Sequence, residues 1–285
     1  MMVMKNLFSS YGATALFVLL WSSGAIFSRW GLDHSSAFAI LVWRFGLALL
    51  ALAAIAAYRK RLCVRDSLNW QVAVTGLLLI GGYSVFYFLS LEQGMTPGVL
   101  ATVLGVQPIL TLMFVERRVS LLRIAGLVIA LLGLVLVVSQ SLINVHLSFS
   151  GMAYALLSLG SMTVGAILQK KIQQSPEDVL PLQYLVSLVL CLIFLPFKPY
   201  HMEWVVGFVV PWLWLGLIIS VVAQLLLYRM IKAGNLVNVT SLFYLVPVIT
   251  AVMDYIFLGN VMSALSMVGM LTIIIGLVVT FRHAN

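Results

Sequence analysis

Two ionisable side chains interrupt long apolar runs: Asp254 within LFYLVPVITAVMDYIFLGN (residues 242 to 260) and Arg44 within AILVWRFGLALL (residues 39 to 50). Around them, groups that can hydrogen-bond or stack recur at helical spacing. Tyr83 and Tyr87 stand four apart, as do Gln107 and Thr111, and Ser220, Gln224 and Tyr228 continue the pattern. At ~100° per residue, Asp254 falls about 20° from Pro247, 40° from Thr240 and 80° from Tyr244. Such groups suit binding: a guanidinium can hold a carboxylate, a glutamine both donates and accepts, and aromatic rings cover apolar surface. A lone carboxylate on a polar face could also carry a proton. Hydrolytic or transfer chemistry would need a nucleophile with a base or clustered acids and histidines. The interiors of the apolar runs hold no histidine and one acidic residue, so the pattern points away from an enzyme.

Burying these groups in lipid is costly unless they face protein or water. Lipid is what the composition implies: 285 residues, 63% hydrophobic, 8% charged, mean hydropathy +1.14. That is the signature of a polytopic membrane protein. Runs long enough for a hydrocarbon core of ~30 Å predict spans over 11–30, 36–57, 70–91, 97–115, 122–140, 149–169, 178–196, 209–231, 236–257 and 263–281. The first has no small-residue cleavage site before it and reads as a retained span. With a cytoplasmic N-terminus, only Arg29 and Lys198 of the 16 Lys and Arg fall outside and Arg44 within a span; the other 13 lie at cytoplasmic ends. This bias fixes the expected orientation, with both termini cytoplasmic and the chain multi-pass in a cell (inner) membrane.

The chain also repeats itself. TGLLLIGGYSVFYFLSLEQG aligns with LGLIISVVAQLLLYRMIKAG, placing Gly76 on Gly216, Glu92 on Lys232 and Gly94 on Gly234. Pro108 then answers Pro247, and Gly126 with Gly133 answers Gly269 with Gly276. Two five-span units are expected, over 1–145 and 146–285. Because five is odd, the second enters the membrane from the opposite side, giving an inverted repeat. The fold class is therefore all-α, ten transmembrane helices in two inverted halves. The paired glycines read as close-packing helix faces.

LLWSSGAIFSRWGLD in the first span, the arginine in AILVWRFGLALL, the proline of the fourth and ninth spans, and FLGN where LGE is usual resemble an EamA-type domain of the drug/metabolite transporter superfamily. The resemblance covers essentially the whole chain as two tandem units. It implies a basket-like ten-helix carrier that exports small metabolites such as amino acids, with a central cavity lined by spans 1, 3, 4, 6, 8 and 9.

On this reading Trp21, Tyr83, Tyr87, Gln107, Gln224, Tyr228 and Tyr244 are the candidate substrate-binding residues. Gln, Ser and Thr in spans also make interhelical bonds averaging about 0.6 kcal/mol with no substrate involved, and tyrosines near span ends are often interface anchors. Arg44 has four readings: snorkelling, bonds to backbone carbonyls, a substrate carboxylate, or a pair with Asp254. For Asp254 they are snorkelling, that ion pair, or coupling to a proton. The expected partners are a small-molecule substrate, the lipid bilayer and a coupling proton, with no nucleic acid. His34, His146, His201 and His283 are scattered, Cys63 and Cys191 have no ligand spacing, and no phosphate-binding loop occurs, so neither metal nor cofactor is expected. The alternative to a secondary transporter is a lipid scramblase or channel-like facilitator.

Overall fold

The computed structural model describes residues 2–58, 69–116, 120–139, 148–258 and 263–283, with the side chains of all but 2–11 and 254–258. The protein is an all-α polytopic membrane protein. In chain order its helices are α1 (Met2–Leu32), α2 (Ala37–Tyr58), α3 (Trp70–Glu92), α4 (Pro97–Val115), α5 (Leu121–Val137), α6 (Phe149–Lys171), α7 (Pro176–Phe197), α8 (Val206–Ala233), α9 (Leu236–Leu258) and α10 (Ala264–Arg282). Nine are long and apolar enough to cross a membrane, and α5, at 17 residues, is the shorter one. Polar caps start many of them. Asn69, Thr96, Ser148, Asn235 and Ser263 each accept from a backbone N–H in the first turn, satisfying donors that a helix start leaves open. Gly94, at φ +86°, makes the tight turn from α3 to α4 that an L side chain would resist.

The helix pairings recur when the first five helices are exchanged with the last five. Contacts of α3 with α6 match those of α8 with α1, α2 with α8 match α7 with α3, and α4 with α6 match α9 with α1. The pairs α2–α7, α4–α9 and α5–α10 map onto themselves. The last is backbone on backbone: a Cβ on Gly276 would stand 2.5 Å from the Ala130 nitrogen, and one on Gly133 2.7 Å from the Ile273 nitrogen. Irregularities recur too. α3 winds as a π-helix over Leu77–Gly82 and α8 over Trp214–Ala223. α4 is interrupted at Gly105 and Val106, and α9 tightens to a 3-10 turn over Leu242–Tyr244, each just before its proline.

Polar ties close both faces of the bundle. On one, the α1–α2 and α7–α8 loops clasp: the Ser36 N–H donates to the His201 carbonyl (2.8 Å) and the Glu203 N–H to that of His34 (3.0 Å). His34 and His201 each reach Glu203 at 3.4 Å. These histidines are distant in sequence, and only the clasp brings them together. No group of three metal-ligating side chains forms among the described residues. On the opposite face, Lys170 Nζ donates to the carbonyls of Ile231, Lys232 and Gly234 at 2.7, 3.1 and 2.6 Å. Nearby, Arg123 is buried against Glu116 and donates to Asn235 and Asn238 at 3.1 and 2.7 Å, tying α4, α5 and α9.

Candidate functional site

The irregular helices surround a cavity whose empty space, open solvent outside it included, is about 810 Å³. Discontinuous helices and π segments free backbone groups and displace side chains, and membrane carriers form their sites where this happens. α1, α3, α4, α6, α8 and α9 line it, and α2 adds Arg44. The wall is mainly apolar with a few polar groups, the usual make-up of a small-molecule site.

Trp21, Tyr83, Tyr87, Gln107 and Arg44 all stand on the wall. Trp21 is held by two rings, with centroids 5.2 Å from Phe17 and 5.5 Å from Phe243, and Phe243 lines the cavity beside it. Tyr83 and Tyr87 are 5.8 Å apart, centroid to centroid. Gln107 begins the second segment of α4 and is 1% exposed, yet neither its Nε2 nor its Oε1 has a partner among the described residues. A buried amide left unpaired costs about 1–3 kcal/mol, so this side chain is set up for a ligand or for water.

Arg44 is 8% exposed, which rules out snorkelling to the interface. Its Nε donates to Ser220 Oγ at 2.8 Å, and its guanidinium carbon lies 5.9 Å from the Phe45 ring centroid. No ion pair to it forms among the described residues; its two terminal nitrogens make no hydrogen bond there and are not sealed off. Arg44 itself is one of the residues that line the cavity.

Gln224, Tyr228 and Tyr244 do not reach the wall, contrary to the expectation from helical spacing. The π segment of α8 shifts the angular register of the residues beyond it, so Gln224 and Tyr228 turn away from the cavity. The Tyr228 hydroxyl instead donates to Gln183 Oε1 at 2.7 Å, and Gln183 Nε2 donates to Gln169 Oε1 at 2.9 Å, a closed chain between helices. Tyr244 falls in the 3-10 turn of α9 and is buried among Leu112, Leu127 and Val248, its hydroxyl without a partner among the described residues. Asp254 lies in α9, but its side chain is outside the described residues. Sequence reasoning passed over Ser28, Ser84 and Phe243, which also line the cavity. Only their closeness to Trp21, Tyr83 and Pro247 in sequence hinted at them.

Comparison with known proteins agrees with this architecture. The model of the EamA-like transporter family matches residues 9–139 and again 149–282. The chain is 24% identical over 272 residues to an uncharacterized transporter, YvbV, of Bacillus subtilis, covering 91% of this chain and 87% of that one. It is 27% identical over 190 residues to a probable amino-acid metabolite efflux pump of Salmonella typhimurium, covering 65% and 60%. A crystal structure of a protein superposes with a TM-score of 0.80 at 21% identity over 96% of both chains, which shows the shared fold. With two matches to the family model spanning nearly its whole length, the chain belongs to the EamA-like transporter family.

Proposed function

We propose that this protein is a secondary transporter that exports small metabolites bearing a carboxylate, amino acids and their derivatives among them, by alternating access across the cell (inner) membrane. One observation carries the substrate class: Arg44, buried in the cavity wall, has its Nε engaged by Ser220 while its terminal nitrogens have no hydrogen-bond partner among the described residues. A guanidinium in a mostly apolar site is costly unless an anion completes it. The aromatic wall of Trp21, Tyr83, Tyr87 and Phe243 suits the apolar part of such a molecule. The similarity to a probable amino-acid metabolite efflux pump supports both class and direction.

Two half-units exchanged in packing support alternating access, in which the halves rock about a fixed central site. With both termini cytoplasmic, the clasp at Glu203 is the external closure, and the ties at Lys170 and Arg123 are the cytoplasmic one. Coupling to a proton is assigned to Asp254, the acid within the ninth span. A proton moving inward would supply ~1.4 kcal/mol per pH unit and ~2.3 kcal/mol per 100 mV.

Ligand-induced thermal stabilisation across a panel of amino acids, oxo acids, amines and sugars tests the substrate class. Carboxylates should stabilise the wild type and lose the effect in Arg44→Gln. A best ligand without an anionic group would overturn it. For coupling, Asp254→Asn in proteoliposomes should lose pH-driven flux while keeping exchange at equal pH. Unchanged pH dependence would remove Asp254 from that role.

A further inference from the structure

We infer that Ser220 is a positioning residue that sets specificity: by occupying Arg44 Nε it leaves only the end-on fork of the guanidinium for the substrate, selecting a planar two-oxygen anion. The inference rests on the carboxylate reading of the cavity. A guanidinium offers a side-on edge, Nε with one terminal nitrogen, and an end-on edge formed by the two terminal nitrogens, and either can hold a carboxylate in a bidentate pair. Here the side-on edge is taken, because Ser220 Oγ accepts from Nε at 2.8 Å. Among the described residues only the end-on edge remains free, on an arginine that lines the cavity, which Ser220 itself does not.

Ser220 is well placed to fix that geometry. It is 0% exposed and sits inside the π-helical segment of α8, where its carbonyl takes a partner from another helix. Tyr184 of α7 supplies it, its hydroxyl donating to the Ser220 carbonyl at 2.6 Å. Side chain and backbone of Ser220 are thus held between α2 and α7, and the arginine side chain has little freedom to swing.

The repeat argues that this is not scaffold. Where Gly76 aligns with Gly216, Ile80 of α3 takes the place of Ser220, and Gln183 of α7 answers Arg44. Ile80 is buried and apolar, and Gln183 satisfies its amide with Tyr228 and Gln169. The same fold is therefore built in one half without any Arg–Ser pair. The pair exists only in the half whose arginine lines the cavity.

The test compares binding of phenylacetate with that of its neutral isostere phenylacetamide by calorimetric titration of the purified full-length protein. The wild type should favour the acid. Ser220→Ala should cut that preference about tenfold, roughly 1.4 kcal/mol, with binding of the amide unchanged and the melting temperature lowered by the loss of a buried charged hydrogen bond. Ser220→Thr should restore the preference, while Ser220→Cys, of similar size but a weak acceptor, should behave like Ser220→Ala. A preference intact in Ser220→Ala and Ser220→Cys, or equal weakening of both ligands, overturns the inference while leaving Arg44 as the anion site. A wild type that does not favour the acid, or an Arg44→Gln variant that still does, overturns the carboxylate reading and the inference with it.

Discussion

Glu92 at the end of α3 and Lys232 at the end of α8 hold equivalent corners of the two halves with opposite chemistry. Glu92 Oε1 accepts the Ala37 N–H at 3.0 Å, at the start of α2, whereas Lys232 Nζ donates to the carbonyls of Gln173 and Gln174 at 2.7 and 3.2 Å, after the end of α6. A helix start presents unpaired N–H groups and a helix end unpaired carbonyls, so an acid fits one and a base the other. The change of charge at this aligned pair is thus matched to the group each must satisfy.

On the same face Lys170 is the stronger tie, because it meets three carbonyls at once and is only half-exposed, while Lys232 is exposed. Charged hydrogen bonds contribute ~1.5–3 kcal/mol when buried, and solvent screening reduces this. Lys170→Met should therefore destabilise the protein by about 1–2 kcal/mol, and Lys232→Met by clearly less. Thermal unfolding in detergent measures both, and equal melting temperatures for the two variants would contradict the ranking.

The α5–α10 contact leaves no room for a methyl group. A Cβ on Gly276 would lie 2.5 Å from both the Ala130 nitrogen and the Gly126 oxygen, backbone atoms that cannot rotate aside. Gly276→Ala should cost at least the ~1–3 kcal/mol typical of overpacking and lower the folded yield. Gly160→Ala, at a site with nothing within 4 Å, serves as the control and should leave the yield unchanged.

Two buried glutamines should respond in opposite ways. Gln107 has no partner to lose, so Gln107→Ala should leave the melting temperature level or raised while weakening substrate binding about tenfold. Tyr228→Phe removes the donor to Gln183 Oε1 and should lower stability by about 1–2 kcal/mol with affinity unchanged. Unfolding and ligand titration on the two variants, read together, separate the roles, and loss of affinity in Tyr228→Phe would contradict the placement of that residue.

Much of this architecture was legible in the sequence, because hydropathy and charge determine where a chain can cross a bilayer. The paired glycines were readable as a close contact for a similar reason: only a missing side chain lets two backbones meet. Position on the cavity wall was legible where a helix is regular or broken at a visible proline, as for Trp21 and Gln107, and Tyr83 reaches the wall although it follows the π segment of α3. Position was misread beyond the π segment of α8, where the 100° rule ceases to hold and Gln224 and Tyr228 turn away. No residue type announces a π-helix, and nothing in the sequence said that Arg44 would find Ser220, 176 positions along the chain.

Topology can be checked with thiol reagents that do not cross the membrane. Cys63, outside the described residues, should react only from the cytoplasmic side. Ser35 is a poor external reporter because it is 4% exposed beneath the clasp, whereas Tyr200, 53% exposed, is a good one. Tyr200→Cys should be labelled in intact cells, and labelling of Cys63 there would invert the orientation.

The account stands most directly on counterflow in proteoliposomes. Vesicles preloaded with an unlabelled carboxylate and diluted into a trace of the same labelled compound should accumulate label transiently above its equilibrium level, as a carrier with one alternately exposed site must. Phenylacetate and L-phenylalanine are the first probes, and the overshoot should vanish in Arg44→Gln with the protein still folded. Flux that rises to equilibrium without an overshoot, or an overshoot that survives Arg44→Gln, would contradict the account.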